Sequence, residues 1–289
     1  MKKLVSLLLC ILLLSGCAET YDGPTESKAV LSKILTTHYT PETGNSHYGR
    51  TDYAYDIYGN QAIELDYRLR FEDEEEEPHL KTLRTFDENG NCIRQRQYDV
   101  SGLFPRKTVD VRYEYDEQGR MISCQEAGEP QYSWTAVYDD EKRTLTATYA
   151  HAVSVSFFDE HGNTIRQETV FENGDTSGII FEFDAQGNRI SARYEETGGT
   201  TLHAYTYDDQ GRVLTMTQTT AEGTELLFRY EYPEGCMIQY NRDGTKIVTS
   251  YNDDGSIHHR YYTDSTDRIT QDVMYYYTEI QVPAKEVSP

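Results

Sequence analysis

The sequence predicts an all-β fold, an array of antiparallel β-hairpin repeats, with a short helix ahead of it. Three observations lead there. An eight-residue unit, clearest at Tyr207-Asp208-Asp209-Gln210-Gly211-Arg212-Val213-Leu214, recurs along the chain. Aromatic pairs two residues apart lead into it, at Tyr53 and Tyr55, Tyr113 and Tyr115, Phe181 and Phe183, and Tyr205 and Tyr207. Between copies, Thr, Tyr, Val and Ile supply β-formers while Gly, Asp and Asn punctuate them.

Each unit reads as two short strands and a tight turn. Asp208 suits the first position of a type I turn, where its carboxylate accepts backbone N–H bonds. Gly211 supplies the left-handed residue that closes such a turn with a G1 bulge. Tyr205 and Tyr207 share one strand face, as do Leu214 and Met216, and the threonines between them fall on the other. Close copies begin at Phe86-Asp87, Tyr115-Asp116, Phe158-Asp159 and Phe183-Asp184. Weaker ones begin at Tyr55-Asp56, Tyr138-Asp139, Tyr240-Asn241 and Tyr251-Asn252. From Asp56 to Asp208, successive turn aspartates lie 20 to 31 residues apart, the spacing of an array of supersecondary units.

The chain divides into residues 1–16, 17–50, 51–282 and 283–289. Lys2 and Lys3 precede an apolar run from Val5 to Leu14, the length of a signal-peptide core and short for a membrane span. The run ends in Leu14-Ser15-Gly16-Cys17. Residues 18–24 are a polar tether. Residues 25–37 are predicted to form a short helix, because Thr25 can cap it and Val30, Leu31, Ile34 and Leu35 fall at helical spacing. Residues 39–50, with Pro41, Gly44, Asn45 and Gly49, read as a loop. The hairpins fill 51–282, and the polar tail from Pro283 reads as disordered. Within the hairpins, the acidic run from Phe71 to Pro78 reads as a solvated loop between two strands.

Composition narrows the rest. Of 289 residues, 37% are hydrophobic, and 25 residues are Tyr, so thin layers are expected rather than a deep aliphatic core. The formal net charge is −22, which repels nucleic acid and anionic headgroups. Outside the leader and Cys17, three cysteines remain: Cys92, Cys124 and Cys236. They allow one disulfide of unspecified pairing, and no CxxC suggests a zinc or redox site. Cys124 is placed on the apolar face with Ile122, and Cys92 on the face opposite Ile93. One apolar face per hairpin demands a covering layer; an extended twisted sheet, a sandwich and a partial shell all satisfy it.

The Leu-Ser-Gly-Cys string resembles the lipobox of bacterial lipoproteins at all four positions. That resemblance implies acylation of Cys17, removal of residues 1–16 and a membrane-anchored body outside the cytoplasm. The recurring Tyr-Asp-x-x-Gly-Arg/Asn-x-Ile/Leu resembles the YD repeat of the RHS family, most closely at Tyr207 to Leu214 and Tyr115 to Ile122. It implies a β-hairpin repeat architecture and an interaction role for an envelope protein or polysaccharide.

No catalytic constellation is present: no HExxH, GxSxG, Walker A or GxGxxG. His258 and His259 are strand neighbours and point to opposite faces. Phe86 to Asn91 has oxygen ligands at alternate positions like a calcium loop, but the turn explains the same Asp and Gly in every copy. The expectation is therefore a binding or scaffold module without catalysis, cofactor or metal. The alternatives are an immunity-type lipoprotein that occupies a toxin, and a carbohydrate-active enzyme. Cys17→Ser is expected to abolish incorporation of radiolabelled palmitate and leave the protein soluble or uncleaved; a variant that labels normally would refute acylation at Cys17.

Overall fold

A computed structural model describes residues 25–40, 43, 45–69, 78–196 and 198–284. It contains twenty strands. The first ten are β1 (Thr25–Thr40), β2 (Asn45–Tyr55), β3 (Gln61–Leu69), β4 (Leu80–Phe86), β5 (Cys92–Asp99), β6 (Arg106–Tyr115), β7 (Met121–Glu126), β8 (Trp134–Asp139), β9 (Thr144–Tyr149) and β10 (Ala152–Phe158). The rest are β11 (Thr164–Phe171), β12 (Thr176–Phe183), β13 (Arg189–Glu196), β14 (Gly199–Tyr207), β15 (Val213–Thr220), β16 (Gly223–Glu231), β17 (Cys236–Asn241), β18 (Lys246–Tyr251), β19 (Ile257–Thr263) and β20 (Ile269–Pro283).

Every strand pairs antiparallel with the next, and β20 pairs with β1 from Thr25↔Pro283 to His38↔Gln271. The meander is thus a closed 20-stranded barrel. This replaces the open sheet, the sandwich and the partial shell. Closure leaves no unpaired sheet edge. At ordinary strand spacing and tilt, twenty strands make a ring roughly 35–40 Å across at the backbone, too wide for side chains to fill.

The turns have the predicted chemistry. Gly211 has φ 75°, and its N–H donates to the Asp208 carbonyl at 3.1 Å. Asp208 Oδ1 accepts the N–H groups of Gln210 and Arg212 at 3.0 and 2.9 Å, and Oδ2 accepts Arg212 Nε at 2.7 Å. In the Asp184 copy, Asn188 Nδ2 replaces the guanidinium at 2.9 Å. The Asn or Arg after the glycine is therefore the second half of the turn. These donors hold the Asp184 and Asp208 carboxyls below their usual range, led by the Asn188 side chain in one and the Arg212 N–H in the other. At Asp87 the same three bonds come from Asn89 and Asn91.

A further bond ties several hairpins to the one before. The strand register slips by one residue beside each turn, as between Thr206 and Tyr207. The first residue after the turn lies at that slip. Its carbonyl accepts a tyrosine hydroxyl from the next hairpin: Tyr115 to Cys92 at 3.0 Å, Tyr207 to Arg189 and Tyr232 to Val213 at 2.8 Å, and Tyr277 to Ile257 at 2.9 Å. A bulge disrupts the local ladder, and the tyrosine satisfies an acceptor there.

The two sheet faces differ. Tyr53, Tyr113, Phe181, Tyr194, Tyr205 and Tyr230 lie on one half-buried face. Small residues fill the gaps: Ala192 is fully buried opposite Phe181 and His203. The other face is more exposed and carries ion pairs two residues apart, Arg50–Asp52, Arg166–Glu168, Arg193–Glu195 and Arg229–Glu231. On a closed ring, inward side chains converge and shield one another while outward ones splay apart. The aromatic face is therefore inner and the charged face outer, the reverse of a membrane-spanning barrel with its apolar exterior band.

Two expectations fail at the start of the chain. Residues 25–40 form β1 rather than a helix, and β2 begins at Asn45, within the expected loop. The helical spacing came from a bulge. Register slips between Leu31 and Lys33, so Leu31 and Ile34, three apart, sit opposite Tyr277 and Tyr275 on the inner face. The pairing demand of β20 then overrides a weak helix preference.

Thermal denaturation tests both devices. Gly211→Val should destabilise by roughly 1 kcal/mol or more, because a β-branched residue is strained at positive φ. Tyr207→Phe should lose about 1 kcal/mol with its hydroxyl bond; an unchanged midpoint for both would remove the turn and the link as stabilising elements.

Candidate functional site: one rim and the wall beside it

The meander gives the ring two unlike ends. The turns after β2, β4, β6 and every later even strand through β18 lie at one end, the turn rim. β1 begins there and β20 ends there, because Thr25 pairs with Pro283. The remaining connections, including the longer ones, form the loop rim.

Large apolar side chains are bare at the loop rim between β5 and β8. Leu103 is 88% exposed and Phe104 85%, in the β5–β6 loop, and Tyr132 is 64% exposed in the β7–β8 loop. Asp99 braces the first loop by accepting the Ser101 N–H and hydroxyl at 3.1 and 2.6 Å. The second contains a single 3-10 turn, Pro130–Tyr132, and is tied down where Glu126 N–H donates to Ser133 Oγ at 3.0 Å.

This stretch also holds the shortest ladder of the ring. Only Ser123↔Thr135 and Cys124↔Trp134 pair across β7 and β8. Nearer the turn rim, Arg120 bridges the seam: Nε donates to Asp116 Oδ2 at 2.7 Å, Nη1 to Asp140 Oδ1 at 2.6 Å, and the guanidinium lies 4.1 Å from the Tyr138 ring centroid. Where the ladder fails, a cleft of about 630 Å³ opens, lined by Asp110, Arg112, Gln125, Glu126, Trp134 and Tyr149 among others. The Trp134 and Tyr149 rings are 6.4 Å apart at 47°.

The wall beside the cleft reverses the sign of the chain. Arg94 sits directly opposite Arg112 across β5 and β6, and Arg96 opposite Asp110. Asp110, 7% exposed, accepts Arg94 Nε and Nη2 at 2.8 Å each and Lys107 Nζ at 2.6 Å. Those partners hold its carboxyl far below the usual range. Among the described residues Arg112, which is exposed, makes no ion pair, and Arg96 Nε is buried without an acceptor. Their outer-face neighbours are Thr85 and Leu83 on β4 and Gln125 on β7, with Glu114 two residues along from Arg112.

The residues singled out in the sequence scatter. Cys17 and residues 71–77 of the acidic run lie outside the described residues. Cys92, Cys124 and Cys236 are free thiols, and no disulfide joins them. Cys124 faces inward opposite Tyr113, as expected. His259 Nε2 meets Asp272 Oδ1 while His258 is exposed, so the two histidines do not converge. Tyr205 and Tyr207 point inward, with Tyr205 4.9 Å from the Arg189 guanidinium. The basic wall was missed. Its one legible signal is Arg94-x-Arg96, two residues apart on a single strand face.

No protein-family profile and no curated protein matches the chain. Among solved structures, the TcdB2-TccC3-Cdc42 crystal structure is similar over 86% of this chain and 14% of that one, at 15% identity and TM-score 0.37. The Photorhabdus luminescens Tc holotoxin pore with a TccC3 substitution is similar over the same shares, at 16% identity and TM-score 0.37. A porin-like protein from Bacteroides uniformis is similar over 86% of this chain and 96% of that one, at 10% identity and TM-score 0.39. The chain spans about a seventh of the toxin chains that it matches.

Arg120→Ala should raise amide hydrogen exchange in β7 and β8 well above that of β13 and β14. Exchange unchanged at the seam would mean that Arg120 does not hold it.

Proposed function

We infer that this chain is a lipid-anchored binding module of the bacterial envelope, without catalysis, held outside the cytoplasm through Cys17. The observation that carries the reading is the polarity of the ring. Thr25 and Pro283 lie at the turn rim, while Leu103 and Phe104 stand bare at the opposite rim. Cys17 precedes Thr25 by eight residues, at most about 28 Å of chain. An acylated Cys17 keeps the turn rim near the bilayer and aims the loop rim away from it. Exposed aromatic and aliphatic side chains in a polar surround are the usual anchors of a macromolecular contact. The charged outer face suits a body standing in water, and the Tyr-Asp turn chemistry fits the YD-repeat resemblance.

The partner is an envelope protein or polysaccharide. A photo-crosslinking residue placed at 103, 104 or 132 of the anchored protein should yield a discrete adduct in intact cells, and one placed at Gln210 on the turn rim should not. The reverse pattern would overturn the orientation. Turnover of envelope glycans by the purified protein would overturn the absence of catalysis.

A further inference from the structure

We propose that the outer wall formed by β5 and β6, with the cleft at the β7–β8 seam, is a binding site for a ligand that presents a carboxylate beside a ring-sized polar body. This deepens the binding-module reading and rests on it.

Four observations on the same stretch support the assignment. First, the chain has 27 basic against 49 acidic residues, yet Arg94, Arg96, Lys107 and Arg112 surround a single buried carboxylate, Asp110. Second, Arg94 and Arg112 are directly opposed across two strands, a placement that destabilises a sheet when nothing offsets it. Third, Asp110 is already taken by Arg94 and Lys107, which leaves Arg112 without an ion pair and Arg96 with a buried Nε that has no acceptor. Unmet donors under cover are rare, and they mark a place where an acceptor is missing. Fourth, Arg112 also lines the cleft that contains Gln125, Trp134 and Tyr149.

The chemistry follows from these parts. A guanidinium presents a planar fork of N–H donors that matches a carboxylate in two parallel bonds. The Arg94–Asp110 pair already displays that geometry, with two contacts of 2.8 Å. Arg112 and Arg96 offer the same fork to a carboxylate arriving from solution. Gln125, Thr135 and Thr148 share the outer face with Arg112 and supply amide and hydroxyl groups for the rest of the ligand, while Trp134 and Tyr149, in register with inward-facing Cys124, line the cleft from its inner side.

The chain contains one tryptophan, and it lines the cleft. Its fluorescence therefore reports occupancy directly. The mature protein would be titrated at low salt with oligogalacturonate, with oligo-glutamate, with a neutral dextran oligomer and with inorganic phosphate. The expected result is a saturable change with at least one carboxylate oligomer, at least tenfold tighter than with dextran, and loss of about tenfold in affinity in Arg96→Gln and in Arg112→Gln. Arg112→Lys should recover only part of that loss, because charge without the fork is insufficient. Arg193→Gln, on the outer wall away from the cleft, should bind as the native protein does. Response to oligogalacturonate assigns a sugar acid as the ligand source and response to oligo-glutamate an acidic peptide; either supports the site.

No response to either carboxylate oligomer, response to phosphate alone, or affinity indifferent to Arg96 and Arg112 would overturn it. Unaltered melting of the glutamine variants separates a lost contact from a lost fold. Crosslinks at 103, 104 and 132 that persist while carboxylate binding is absent would leave the binding-module reading standing and remove only the carboxylate site.

Discussion

The structure depends on one bond repeated around a ring: a tyrosine hydroxyl donated to the carbonyl of a slipped strand residue in the preceding hairpin. A hairpin alone is marginal in water and has one apolar face to cover. Here four hairpins supply the acceptor that the next one uses. Tyr115, Tyr207, Tyr232 and Tyr277 all reach back to the first residue after the previous turn. At Asp87, Asp184 and Asp208 the turn aspartate fixes where that residue sits, because its carboxylate collects the N–H groups two and four residues on. At Tyr115-Asp116 and Tyr207-Asp208 the pair works in two directions, the Asp within its own turn and the Tyr between turns. Copies with Phe before Asp, at Phe86, Phe158 and Phe183, keep the turn and lack the hydroxyl.

Nearest-neighbour links of this kind suit a linear array, but a linear sheet has two exposed edges. The long β1–β20 ladder removes both. Closing twenty strands in one layer means that no second layer covers the aromatic face, so the wall shields itself. Large inward rings alternate with small buried residues such as Ala136, Ala147, Ser154, Ala192 and Thr249. Among the described residues no large apolar side chain is fully buried. Tyrosine suits this layer: its ring packs sideways against neighbours while its hydroxyl meets a backbone carbonyl or water.

Much of this was legible in the sequence, for identifiable reasons. Asp208 and Gly211 announce their turn because only a few residue types satisfy its backbone, and Tyr205 and Tyr207 announce the inner face by their spacing. The Asn or Arg after the glycine was visible as a pattern but not as a partner, since its bond to the turn aspartate exists only in three dimensions. The copy at Asp264 was hidden because Asp267 takes the glycine position with φ 64°. The bulge near Ser32 disguised β1 as a helix by breaking its two-residue alternation. Closure had no local signal at all, because it pairs segments at opposite ends of the chain.

The candidate site lies where the repeat rules weaken, and this follows from the same physics. Regular hairpins use their side chains on one another: Arg212 is held by Asp208, and Asn188 by Asp184. Between β5 and β8 those internal partners run short. The β7–β8 ladder shrinks to two residue pairs, Arg120 reaches across the seam to compensate, and arginines face each other over β5 and β6. A sheet selected for stability alone would not place Arg94 directly opposite Arg112. Sequences that specify one fold satisfy local rules almost everywhere and depart from them mainly where another demand acts. Arg112 and Arg96 are such departures, and they border the stretch where the wall is least complete and the rim most apolar. Donors and cleft thus adjoin each other on the wall between β5 and β8.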